Sequence, residues 1–200
     1  SIQDMISIEN IYEISKRKKI TIIFHPLDME MITGGYHFSF DCECYKNGIC
    51  DSEYHNMNKL ANKMYSKKVL LLSKIPITWI ATNNFILNRI KSSNIYSRNH
   101  NSKTIFMSMD KSVYTYNSKS YARSKFSVDN NKKVILFGCF NFMDKRKNAD
   151  LLNKIVHYLE SNVDKLDNIL FLTFGDLNGF NLLTEKVEWT HLGNIVSANQ

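Results

Sequence analysis

Short apolar runs rich in β-branched residues alternate with longer amphipathic segments along this chain. That alternation restricts the fold more than any single motif does. Ile20-Thr21-Ile22-Ile23-Phe24, Ile77-Thr78-Trp79-Ile80-Ala81 and Lys103-Thr104-Ile105-Phe106-Met107 have strand length and strand composition. So do Val134-Ile135-Leu136-Phe137, ending at Gly138, and Ile169-Leu170-Phe171-Leu172, ending at Gly175. Helical spacing is predicted over 5–18, with Ile6, Ile8, Ile11 and Ile14 on one face, closed by Lys16-Arg17-Lys18-Lys19. It recurs over 57–67, from an Asn83 cap to Ser92, and over 147–162, with Leu151, Leu152, Ile155, Val156 and Leu159 on one face. Strand, helix, strand, helix, strand, followed by strand, helix, strand, predicts an α/β fold of Rossmann-like parallel sheets with covering helices.

The polar, serine-rich stretch 108–131 separates the two runs. The expected domains are therefore 1–128 and 129–200. At 200 residues the chain is short for two complete doubly wound domains, which points to parts of two. No apolar run approaches the roughly 20 residues that span a bilayer, and the N-terminus lacks the pattern of a secretory signal. The net charge of +7 favours anionic partners or is only a lysine-rich surface. The cations are spread along the chain without a basic stripe of interleaved aromatics, which argues against nucleic acid.

In open parallel sheets, ligands bind beyond the carboxyl ends of the strands. Three stretches qualify: 25–35, 138–147 and 175–179. In the second, Gly138 permits a close approach, and Asp144-Lys145-Arg146-Lys147 precede a helix whose N-terminus suits phosphate. An ordinary charged helix cap explains the same residues. There is no dinucleotide fingerprint and no P-loop. In the first stretch, His25, Asp28 and Glu30 follow a strand as acid–base candidates. Cys42, Cys44 and Cys50, with His37 and His55, lack paired Cys-x2-Cys spacing, so loose thiols are expected in preference to zinc. A fourth cysteine, Cys139, stands apart, and the usage suits a reducing, cytoplasmic setting. Trp79 and Trp189 are expected in the core.

Several segments together resemble the bacterial GT-B glycosyltransferases of family 4, especially those of capsule, exopolysaccharide and colanic-acid-type synthesis. That group carries His-Asp-Met-Trp-x-x-Thr-Gly-Gly-Cys-His-Tyr-Ser before a cysteine-rich loop. The counterpart here is Asp28-Met29-Glu30-Met31-Ile32-Thr33-Gly34-Gly35-Tyr36-His37-Phe38-Ser39, then Cys42-Glu43-Cys44. Trp79-Ile80-Ala81-Thr82-Asn83, Ile105-Phe106-Met107-Ser108-Met109-Asp110, Val134 to Gly138, Arg146-Lys147 and Leu192-Gly193 follow in the family's order. Aligned on Asp28-Met29, the family's histidine falls on Leu27 and its tryptophan on Glu30; His25 lies two residues earlier.

The resemblance implies the end of an acceptor domain, a linker and the start of a donor domain. It implies a retaining transfer of sugar from a nucleotide diphospho-sugar to a glycan or lipid-linked acceptor, with no metal or other cofactor. Gly138, Lys147 and Arg146 would hold the donor diphosphate. Thr33, Gly34 and Gly35 would line the acceptor cleft, and His25 would be the catalytic candidate. A cytoplasmic place, peripheral on the inner membrane face, is expected, and a central fragment is expected to be inactive alone. Two alternatives remain: a degenerate relative that binds without catalysing, and a zinc-stabilised interaction module.

Overall fold

The computed structural model describes residues 6–40, 42–49, 58–115 and 117–195. The chain divides into two compact units, Ser1–Ser108 and Met109–Gln200, each with one three-stranded parallel sheet. The division falls within the polar stretch that separates the two sequence runs. The α/β reading with parallel sheets therefore holds in both halves.

The first unit contains α1 (Ile8–Lys18), β1 (Ile22–Phe24), a 3₁₀ turn (Glu30–Ile32), α2 (Cys44–Asn47), α3 (Asn58–Leu72), β2 (Ile77–Ala81), α4 (Asn84–Ser92) and β3 (His100–Thr104). Ser7 caps α1 by accepting from Asn10 N–H, and Asn83 caps α4 by accepting from Ile86 N–H. β2 lies between β1 and β3, so both its edges are paired. Its Ile77, Trp79 and Ala81 are fully buried, as the middle strand of a covered sheet requires. Trp79 packs on Phe24, their ring centroids 5.2 Å apart.

Two elements depart from the sequence expectation. α3 runs to Leu72 rather than 67, because Val69, Leu71 and Leu72 continue its packing against the core. β3 spans His100–Thr104 rather than 103–107, and leaves Ile105, Phe106 and Met107 exposed beyond it. The reason is His100. Trp79 Nε1 donates to His100 Nδ1 at 3.0 Å, and His100 Nε2 lies 3.0 Å from the Leu72 carbonyl. Both bonds are satisfied by a neutral ring, and burial pushes the His100 pKa down. This pairing sets the register, Ile77 opposite His100.

The second unit contains α5 (Lys119–Lys125), β4 (Lys133–Asn141), a 3₁₀ turn (Lys145–Lys147), α6 (Asp150–Asn162), β5 (Ile169–Asp176) and β6 (Glu188–His191). α5 sits inside the stretch read as a linker. Ser118 caps it, and Arg123 ties it to β4 through the carbonyls of Asp129 and Lys132. β5 is the middle strand. On one sheet face Phe137, Cys139 and Phe171 meet Leu152 and Val156 of α6. On the other, Leu136 and Phe140 stay exposed, and an apolar groove of about 300 Å³ runs between this face and Ala122 and Phe126 of α5. Trp79 is core as expected; Trp189 is partly buried and donates to Thr173 Oγ1 at 2.8 Å.

One carboxylate organises the approach to β6. Glu160 Oε1, on α6, accepts from Thr184 Oγ1 and from the backbone N–H groups of Glu185, Lys186 and Val187, at 2.8 to 3.2 Å. Those N–H donors, Lys186 foremost, hold the Glu160 pKa down to about 2 from an ordinary 4.5. The folded value lies below the unfolded one. The stabilisation is therefore complete above pH 4.5 and is lost as pH falls from there towards 2. Glu160→Gln is expected to lower Tm at neutral pH and to flatten Tm against pH between 4.5 and 2. An acid limb as steep in the variant as in the parent would count against this role.

Candidate functional site

The strongest concentration of chemistry lies past the carboxyl end of β1. The chain leaves Phe24 through exposed His25 and buried Pro26 and folds into the 3₁₀ turn at Glu30–Ile32. Asp28 starts that turn by accepting from Glu30 N–H at 2.8 Å through Oδ1. Its other oxygen, Oδ2, sits 2.7 Å from His37 Nδ1. Glu30 Oε2 lies 4.0 Å from the same nitrogen, and its side chain is only 16% exposed. The pairing is supported from the backbone, where Met29 N–H donates to the His37 carbonyl at 3.1 Å. Aspartate thus orients the ring of a half-exposed imidazole.

The intervening loop closes on Thr33. Its hydroxyl donates to the Tyr36 carbonyl at 2.7 Å and accepts from Tyr36 N–H at 2.9 Å and Gly35 N–H at 3.3 Å. Thr33 is fully buried, so its hydroxyl serves the loop and not a ligand. Gly34 faces α3: a Cβ there would fall 2.1 Å from the Ala61 carbonyl oxygen. Gly35, at φ +121°, has nothing within 4 Å of such a Cβ and is the one of the three that borders open space. The Thr-Gly-Gly segment is therefore packed against α3, with one residue facing outward.

Beneath this loop lies Lys68 of α3, fully buried. Its Nζ donates to the carbonyls of Glu30 at 2.6 Å and Thr33 at 2.9 Å. Burial lowers its pKa from 10.5 to about 8, against the opposing pull of Glu30 and Asp28. Nothing in the composition singled this lysine out. The available signal was its spacing: Ala61, Tyr65, Lys68 and Leu72 form one buried helical stripe.

Asp28, Glu30 and His37 are the one group among the described residues whose three ligand-type atoms lie within 4.8 Å of one another. A cation there would have to displace the Asp28–His37 hydrogen bond, so as built the group is a hydrogen-bonded pair beside a second carboxylate. His25 is exposed at the strand end and is not part of this group. Cys42 and Cys44 are buried against Tyr36, with Cys44 N–H donating to Cys42 Sγ at 3.2 Å. Cys50 and His55 lie outside the described residues.

The residues expected to hold a donor diphosphate lie in β4 and in the turn after it, in the second unit. β4 does not end at Gly138 but continues to Asn141, and Gly138 is inside it. A Cβ at 138 would meet Phe174 Cζ at 2.0 Å, so the glycine makes room for that ring rather than for a ligand. Asp144 caps the 3₁₀ turn through Arg146 N–H and also binds the Arg146 guanidinium through both carboxylate oxygens. Arg146 is thereby engaged within its own turn. Lys147 is exposed in that turn, just ahead of the α6 N-terminus.

No protein-family model matches this chain, and no curated protein matches it. Among the described residues, no helix is long and apolar enough to cross a membrane.

Proposed function

We propose that this chain belongs to a retaining GT-B glycosyltransferase that moves a sugar from a nucleotide diphospho-sugar to a glycan or lipid-linked acceptor. The setting of this reading is cell-surface polysaccharide synthesis, in the cytoplasm and peripheral to the inner membrane face. The observation that carries it is the Thr33-Gly34-Gly35-Tyr36-His37 loop, folded at the carboxyl end of a parallel strand so that His37 meets Asp28. Two successive parallel-sheet units, the second with a cationic turn ahead of a 13-residue helix, agree with it.

The chemistry follows from charge. A sugar leaving a diphosphate develops positive charge at the anomeric carbon, while negative charge gathers on the departing phosphates. Lys147 and the first-turn amides of α6 are the groups suited to that diphosphate. Arg146, already bound to Asp144, contributes less, and Gly138 contributes packing. In the first unit, His37 takes the position of interest that the sequence assigned to His25, because it is the histidine with an orienting carboxylate.

Binding tests this reading without requiring turnover. Titration calorimetry of the 200-residue chain with UDP, GDP and their diphospho-sugars is expected to reveal one preferred nucleoside diphosphate. Lys147→Ala is expected to weaken it about tenfold or more, the worth of one charge-assisted hydrogen bond. Absence of binding by every nucleotide tried, or full affinity in Lys147→Ala, would overturn it. A second reading is favoured by Leu27 and Glu30 standing where the family has histidine and tryptophan: a relative that binds the donor without transferring it. It gives the same binding, with no product from any donor–acceptor pair.

A further inference from the structure

A lysine with no exposed surface, held by carbonyl groups rather than a carboxylate, is an unusual thing for a fold to retain. Lys68 Nζ bridges the carbonyls of Glu30 and Thr33, which bracket the 3₁₀ turn carrying Glu30 and opening into the Thr33–Tyr36 loop. Thr33 N–H also returns to the Glu30 carbonyl, so the same oxygen closes the turn and accepts from the lysine. The charged groups facing Lys68 are Glu30 and Asp28, the latter paired with His37. Among the described residues, no carboxylate forms a salt bridge with it.

We propose that Lys68 is a latch on the loop at the carboxyl end of β1, and that this latch tightens when the amine loses its proton. The geometry supplies the latch: a buried amine reaches the loop that carries His37, and a neutral amine still donates to both carbonyls. Opening the loop would bring the amine into water. The linkage then has a definite sign. The closed loop holds the amine near pKa 8, and a hydrated amine returns to 10.5. Well below pH 8 both states keep the proton, and opening does not depend on pH. Between those values the open state binds a proton that the closed state lacks, so opening becomes rarer as pH rises. The loop is most easily opened at neutral pH and becomes locked in alkali. This inference stands apart from the glycosyltransferase reading, since it concerns the loop whatever the ligand.

Amide exchange on the 200-residue chain, corrected for intrinsic rates, tests it at Met29, Thr33 and Tyr36. Their opening constants are expected to be flat up to about pH 7 and to lie about 30-fold below that plateau by pH 9.5, approaching the tenfold per pH unit that one proton dictates. In Lys68→Arg, whose guanidinium keeps its proton throughout, the fall is expected to vanish. Direct ¹⁵N titration of Nζ in the unaltered protein is expected to give a midpoint near 8, and requires no variant to fold. A midpoint at the ordinary 10.5, pH-independent opening in the unaltered chain, or the same fall in Lys68→Arg would each overturn the latch.

Discussion

Trp79→Ala is expected to unfold the first unit. Trp79 is fully buried on the middle strand, packs on Phe24, and donates its indole N–H to His100. Removing the ring forfeits transfer free energy and leaves a cavity beside Phe24 on the covered face of the sheet, at a cost of roughly 3–5 kcal/mol. It also removes the closer of two donors to His100 Nδ1, leaving the Ser97 N–H at 3.3 Å, and the lost hydrogen bond adds about 1 kcal/mol. The sum reaches the lower end of the stability of a small domain, about 5–15 kcal/mol. Denaturant unfolding followed by near-ultraviolet circular dichroism should show the loss. Trp79→Phe separates the two contributions, because it keeps most of the ring and removes only the donor. If Trp79→Ala unfolds with the parent's midpoint, the core placed around β2 is wrong.

The second large effect is expected at Gly34. An alanine Cβ would meet the backbone of Ala61 in α3 at 2.1 Å, where no flexible side chain can give way. Either α3 or the Thr33–Tyr36 loop must move, at a cost of roughly 3 kcal/mol or more. Movement of the loop would separate His37 from Asp28 and loosen the Lys68 bonds. Tm is expected to fall, and the His37 ring signals in a proton–nitrogen spectrum are expected to shift. Gly35→Ala is the contrasting variant: it has open space around it but an unfavourable φ of +121°. Its cost is local strain of about 1–3 kcal/mol. Equal effects at the two positions would refute the close packing of Gly34 on α3.

The two glycines read alike in the sequence, and so do most of the residues that turned out differently. Strand β2, the Asn83 cap and the parallel alternation were legible because they depend on local pattern. Apolar runs of strand length want both faces covered, and an asparagine ahead of a helix accepts from its first turn. The candidate site was legible in its parts: Asp28 and Glu30 after a strand, and Thr33 to His37 in a segment resembling a known family. Their assembly was not. His37 reaches Asp28 across nine positions through a loop closed by a buried threonine. His25, nearer to the strand, remains outside it.

Sequence alone determined that this chain is α/β with parallel sheets, since hydrophobic period and turn residues state which faces must be buried. Tertiary structure decided what each face is buried against. His100 fixes β3 three residues ahead of its more apolar neighbours, because a polar edge strand is stable once its histidine is bonded to Trp79 and Leu72. Gly138 lies within a strand because Phe174 fills the space above it. Lys68 sits on the apolar stripe of α3 because two carbonyls of a loop more than thirty residues earlier await it. Such long-range partners leave no periodic trace, since a pattern specifies a side chain's direction and not what it meets.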